Sequence, residues 1–179
     1  SVSHLATALG GDLLKANLLG APLPMLDGRY RFAKILGRGA TGMVVRAHDQ
    51  RLAREVAVKL APANILSQRM LDEARALARL KRPECVVQVW ETASGYLASS
   101  TYTTAVNYIV MELVVGRTLR EWQQQGPALG ALLNVYANVA VGLHRVHSAS
   151  LVHGDVKPDN VIVDANGVPT LVDFGFATS

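Results

Sequence analysis

Asp155, Lys157 and Asn160 lie within six residues of one another in the segment His153-Gly154-Asp155-Val156-Lys157-Pro158-Asp159-Asn160. A carboxylate at 155 can accept the proton of an attacking hydroxyl, and an amide oxygen at 160 can ligate a hard cation. Lys157 can reach a phosphate in transfer. In isolation, Lys-Pro-Asp-Asn would also read as a polar turn between a helix and a strand. A second acidic motif, Asp173-Phe174-Gly175, follows 18 positions after Asp155.

Two further motifs lie upstream. Gly37, Gly39 and Gly42, with Arg38, Ala40 and Thr41 between them and Val44 beyond, make a GxGxxG pattern. Such a triplet suits a dinucleotide-binding turn, a strand–turn–strand loop over phosphates, or an ordinary hairpin. A dinucleotide fingerprint opens a helix, whereas here β-branched residues and a second strand-like run follow. Without Cβ atoms, a glycine-rich hairpin can bring its backbone close to triphosphate oxygens. Lys59 ends Val56-Ala57-Val58-Lys59, 22 positions after Gly37. A functional lysine there would neutralise the α- and β-phosphates and would need an anionic partner. Glu73 is the expected partner because it lies between Met70 and Leu77 on the apolar side of a helix. Asp72 is rotated about 100° toward the flank.

The elements that must position these residues follow from periodicity. Residues 1–20 place Leu5, Leu9, Leu13, Leu14 and Leu18 near helical spacing, interrupted by Gly10-Gly11 and followed by an Ala-Pro-Leu-Pro linker. Strand-like runs occupy 30–36, 43–47 and 55–60, and a helix is predicted over 64–82, ended by Pro83. Two more strands, 86–90 and 108–113, are joined by what reads as a Ser/Thr-rich loop. Beyond Gly116 the pattern is helical over 118–125 and about 127–147, and short strands follow at 161–163 and 170–172. The order is α+β, a β-rich half with one helix and then a mainly helical half.

Composition bounds the possibilities. Half of the 179 residues are hydrophobic and 18% are charged, a globular profile able to build a core. The 18 Lys and Arg against 14 Asp and Glu are scattered, with no run beyond pairs such as Lys81-Arg82, which argues against nucleic-acid binding. One cysteine, Cys85, excludes an internal disulfide and suits a reducing, cytoplasmic setting. The longest uncharged stretch, 122–143, is too polar for a membrane span.

With the four motifs in order on the expected elements, residues 30–179 resemble the eukaryotic-like (Hanks-type) serine/threonine protein kinases. The resemblance implies a kinase N-lobe over 28–113 behind an N-terminal extension or linker at 1–27. It also implies a hinge and partial helical C-lobe over 114–179, ending after the Asp-Phe-Gly motif. ATP and Mg2+ are the implied cofactors. Asp155 matches the catalytic base, Asn160 and Asp173 the magnesium ligands, and Lys59 with Glu73 the activating ion pair. Met111 resembles the gatekeeper residue, and the backbones of Glu112 and Val114 resemble the adenine-binding hinge. Val44, Ala57 and Ile162 would enclose the adenine, while His153, Phe174 and Leu77 resemble hydrophobic-spine members. Lys157-Pro158 is similar to the serine/threonine class.

Two departures qualify the resemblance. Gly154 stands where many kinases have the arginine that docks a phosphorylated activation loop, so switching through that residue is not expected. The activation segment and later helices would lie beyond Ser179. Without them the 127–147 helix, apolar around most of its circumference, would expose a face for self-association or a partner. A non-catalytic nucleotide-binding module and a small-molecule phosphotransferase (His-Gly-Asp is similar to antibiotic kinases) are the competing readings.

Overall fold

Alternating apolar runs punctuated by Gly, Pro and Asp build the N-terminal half as strands. The computed structural model describes residues 1–39, 42–64, 68–80 and 84–173, with the side chains of residues 68–70 and Glu73 outside that description. Ala40, Thr41, Phe174 and Gly175 of the expected site, together with the Glu73 side chain, therefore lie outside the described residues. The contacts divide the chain into two units, residues 1–71 with 90–113 and residues 72–89 with 114–179.

The first unit opens with α1 (Val2–Leu19), a single helix that runs straight through Gly10-Gly11. Each glycine in a helix interior costs about 1 kcal/mol relative to alanine. Burial of Leu5, Ala6, Leu9 and Leu13 in the unit's core offsets this. The helix is capped at both ends: Ser1 Oγ accepts the N–H of His4, and Gly20, in the left-handed conformation, donates to Ala16 O. The residues beyond it form β1 (Met25–Leu26), β2 (Tyr30–Gly39), β3 (Gly42–Asp49) and β4 (Arg54–Pro62). With β5 (Val89–Ala98) and β6 (Thr103–Glu112) they make a closed barrel in the order β1-β2-β3-β4-β6-β5. Two-residue β1 closes it by pairing with both β2 and β5.

The segment expected as a Ser/Thr-rich loop is instead the β5–β6 hairpin. Its turn is short: Ser99 N–H donates to Tyr102 O, and Ser99 Oγ accepts from the amides of Thr101 and Tyr102. Threonine suits a half-exposed pleated surface, but the partner strand that makes such a surface is visible only in three dimensions.

Alternation then sorts the barrel residues. Met43, Val45 and Ala47, Val56, Val58 and Leu60, and Val106, Tyr108 and Val110 join Phe32 and the α1 leucines in one core. A polar clasp fixes the barrel edge. Asp49, fully buried, receives both Nε and Nη2 of Arg29, at 2.9 and 2.8 Å, while Arg29 Nη1 and Tyr30 Oη both donate to Glu91.

α2 (Gln68–Ala78) is shorter than the 64–82 pattern; Ala63-Asn64 forms a turn ahead of it, and it buries Leu71, Ala74 and Leu77. In the second unit, β7 (Arg117–Thr118), β8 (Val161–Val163) and β9 (Pro169–Leu171) form a small antiparallel sheet. α3 (Leu119–Gln123) leaves β7 through a capping box between Thr118 and Glu121. α4 (Leu129–Ser148) buries Val135, Val139, Gly142 and Val146. A Cβ at Gly142 would lie 2.8 Å from Cys85 O, so this helix rests directly on the backbone of the segment that bridges to β9. Other apolar residues of this helix point elsewhere: Leu129 and Leu133 are 69% and 61% exposed, and Tyr136 and Val141 are exposed as well. No described helix is long and apolar enough to cross a membrane.

Candidate functional site

In the first unit, the strand face opposite the core gathers the upstream motifs. Residues directly opposed in an antiparallel ladder share a face. Val44 opposes Lys59, which opposes Ile109, and Ala57 opposes Met111. Val44, Ala57, Lys59 and Met111 are thus adjacent on one surface, opposite to Val56, Val58 and Leu60. Lys59 is buried, unlike most lysines. Farther along the same face Glu55 accepts from Arg46 Nε and bonds to His48, and these partners hold its carboxyl below the usual range.

The glycines at the rim of this face have different causes. Gly39 opposes Gly42 in the β2–β3 ladder. A Cβ on Gly42 would stand 2.7 Å from Leu60 O, so packing alone demands glycine there. Gly37 has nothing within 4 Å of a built Cβ, and the nearest atom to one at Gly39 is 3.9 Å away. Neither has a positive φ. Among the described residues, nothing inside the chain requires glycine at 37 or 39.

Asp72, the rival partner for Lys59, is exposed and accepts from Arg75 Nη1 at 2.6 Å. That bond sits on the solvent side of α2, as the helical phase requires.

In the second unit, the loop between α4 and β8 brings together Asp155, Lys157 and Asn160. Lys157 Nζ donates to Asp155 Oδ2 at 2.7 Å. Asn160 Nδ2 donates to the same oxygen at 2.8 Å and to Asp155 O at 2.9 Å. The hydrogen bond from Lys157, aided by Asn160, holds the Asp155 carboxyl below the usual aspartate range, so it is ionised at neutral pH. Because Nδ2 is committed to Asp155, the amide of Asn160 has a defined orientation in which Oδ1 is the acceptor atom.

His153, 1% exposed, fixes both sides of this loop. Its Nδ1 accepts the Asp155 amide at 3.3 Å, which assigns the proton to Nε2, and Nε2 donates to Val172 O at 3.1 Å. Val172 N–H in turn donates to Asn160 O at 2.9 Å. Held on both sides, Val172 fixes the backbone just ahead of Asp173, whose φ is 51°. Gly154 has φ of 79°, a conformation that glycine takes without strain and that most other residues adopt at a cost.

An amide oxygen and a carboxylate are donors of the kind Mg2+ takes, and that ion needs few protein ligands. Ile162 lies on the half-exposed face of β8, between buried Val161 and Val163. Gly116 passes close to it: a Cβ there would collide with Val163 O and sit 2.8 Å from Ile162 Cγ2.

Sequence reasoning missed Gly116 and the bidentate pair between Arg120 and Asp159. The glycine was visible only as the point where periodicity changes. Nothing local announces that Arg120 faces a turn 39 residues away.

Comparison with known proteins adds an independent finding. The family model described as the protein kinase domain matches residues 30–179. A probable serine/threonine-protein kinase of Streptomyces coelicolor is 38% identical over 159 residues, covering 85% of this chain and 23% of the relative. The probable kinase PknB of Bifidobacterium longum is 33% identical, covering 87% and 24%. The DNA damage-responsive kinase RqkA of Deinococcus radiodurans is 37% identical, covering 86% and 23%. The chain therefore spans about a quarter of the length of these curated relatives.

Proposed function

Because the chain belongs to the protein kinase family, we propose that it holds the ATP- and magnesium-handling part of a protein kinase that moves the γ-phosphoryl group of ATP to Ser or Thr hydroxyls. The observation that carries this reading is the convergence of Lys157 and Asn160 on one oxygen of Asp155. Asp155, ionised, orients the substrate hydroxyl and accepts its proton as the new P–O bond forms and the bond to the ADP oxygen breaks. Lys157, already 2.7 Å from Asp155, offers its remaining N–H donors to the phosphoryl oxygens.

Asn160 Oδ1 and the Asp173 carboxylate would hold magnesium, which when bound neutralises charge on the phosphate oxygens. Lys59 would neutralise the α- and β-phosphates with Glu73 holding it in place. The backbone of Gly37, Arg38, Gly39, Ala40, Thr41 and Gly42 would cover the phosphates. Packing among the described residues places no demand for glycine at 37 and 39, and a ligand approaching the backbone would account for them. Val44, Ala57, Met111 and Ile162 would enclose the adenine, with the Glu112 and Val114 backbones as its hydrogen-bonding partners. Catalysis then rests on positioning and electrostatic stabilisation. The exposed α4 face makes a second copy or another protein a further expected partner.

The test is ATP turnover and phosphate transfer to a generic protein substrate. Activity in the wild-type chain that depends on Mg2+ and is lost in Asp155→Ala supports the reading. Nucleotide affinity identical in the wild type and an Asn160→Ala, Asp173→Ala double variant, with Mg2+ present, would remove the metal assignment.

A further inference from the structure

Asp159 is the one acidic residue in the loop from Asp155 to Asn160 with no role so far. It forms the middle of the 3-10 turn Pro158–Asn160. Its carboxylate receives both arms of one guanidinium: Arg120 Nε donates to Oδ1 at 2.8 Å and Nη2 to Oδ2 at 2.7 Å. Both side chains are about half exposed. A pair this exposed adds little to stability, because water and salt screen it. A two-point fork nevertheless fixes direction, which a single charge contact does not.

What the fork holds is the relevant point. Arg120 follows Leu119, which is buried, on a helix whose first turn is closed by the Thr118–Glu121 capping box. The residues just before it, Arg117 and Thr118, pair with Val163 and Ile162 of β8. One short segment thus grips β8 by its backbone and the preceding turn by a side chain. The turn is closed in the backbone by Asn160 N–H donating to Lys157 O at 2.9 Å. Asn160, one peptide beyond Asp159, carries the Nδ2 that bonds twice to Asp155 and the carbonyl that holds Val172. Any rotation of the turn moves the amide that orients Asp155 and sets Asp173.

We propose that Arg120 is a positioning residue, which through its fork to Asp159 holds the 3-10 turn in the orientation that presents Asn160 to Asp155. The inference rests on the phosphotransfer reading for its consequence in rate but not for its structural content. Four variants of the whole chain test it: Arg120→Ala, Arg120→Lys, Asp159→Ala and the exchange Arg120→Asp with Asp159→Arg.

Amide hydrogen exchange at Asn160 and Val172 is read alongside kcat and the KM for ATP. Arg120→Ala and Asp159→Ala should each raise exchange at both amides and lower kcat by about tenfold, the scale of a small misplacement. The KM for ATP should stay within about twofold and the melting temperature within about 2 °C, as expected for an exposed pair. Arg120→Lys, a point charge without the fork, should recover only part of the loss, and the exchanged pair most of it. Unchanged exchange at both amides in the two alanine variants overturns the inference, as does a rate loss that merely tracks a fall in melting temperature. If the wild type transfers no phosphate, the proposed function fails, and the amide exchange still decides the role of Arg120.

Discussion

Asp155 accepts two charge-assisted hydrogen bonds on one oxygen, from an ammonium and an amide. That arrangement sets both its orientation and its ionisation. Replacing it by alanine should slow the chemical step by roughly 10²–10⁴-fold, the usual worth of a general base, in a steady-state transfer assay. Lys157 depresses the Asp155 pKa, so a base that is charged at lower pH is the sign of the effect. Lys157→Met should therefore move the acid limb of the kcat/KM profile to higher pH, toward the ordinary aspartate value near 4. An acid limb that stays put would show that Asp155 does not control it. On the other face, Asp72 is already engaged by Arg75. Asp72→Ala should leave phosphate positioning almost intact, while Glu73→Ala and Lys59→Met weaken it; nucleotide affinity in the three variants distinguishes the assignments.

At the scale of elements, the barrel edge depends on buried charge. Breaking a buried ion pair by removing one partner costs about 3 kcal/mol. Asp49→Asn, which leaves Arg29 with Glu91 alone, should lower the denaturant midpoint at pH 7 by that order. The pH dependence has a definite sign. Arg29 and the amides of Arg51 and Leu52 lower the folded pKa of Asp49, so its stabilisation is complete above the unfolded value near 4 and fades as pH falls through the lower folded value. The variant should lose less stability than the wild type between pH 5 and pH 2, measured by urea unfolding at each pH. α1 belongs to the same unit by packing. Leu9, fully buried, is its central contact, and Leu9→Ala should cost about 2–5 kcal/mol. A loss below 1 kcal/mol would mean that the helix is dispensable to the barrel.

For the molecule as a whole, the exposed face of α4 is expected to set the behaviour in solution. Leu129, Leu133, Tyr136 and Val141 lie along one helix, with all four side chains open to water. Contiguous apolar surface of this kind draws partners. The chain is expected to self-associate at micromolar concentration, and light scattering together with binding of a hydrophobic dye measures it. Charged substitutions, Leu129→Glu with Leu133→Glu, should shift the distribution toward monomer. A clean monomer that binds no dye would show that the face tolerates solvent as it stands.

Local chemistry made the loop of Asp155, Lys157 and Asn160, the glycines beside β2 and β3, and much of the order of strands and helices legible from residues alone. Those motifs are short, and their spacing is fixed by turns and by one strand or helix at a time. Helical phase likewise put Asp72 on the flank of its helix, because that depends only on 3.6 residues per turn, and its side chain is exposed. Contacts between distant segments were not legible. The hairpin through Ser94–Thr104 needed its partner strand, and the continuity of α1 through two glycines needed the core that compensates them. The buried face of α4 was decided by Gly142, which lets the helix approach the Cys85 backbone, and not by its leucines. The fork from Arg120 to Asp159 joins residues whose neighbours in sequence say nothing of each other. Hydrophobic periodicity states that a face must be covered; only the packed chain determines which face, and by what.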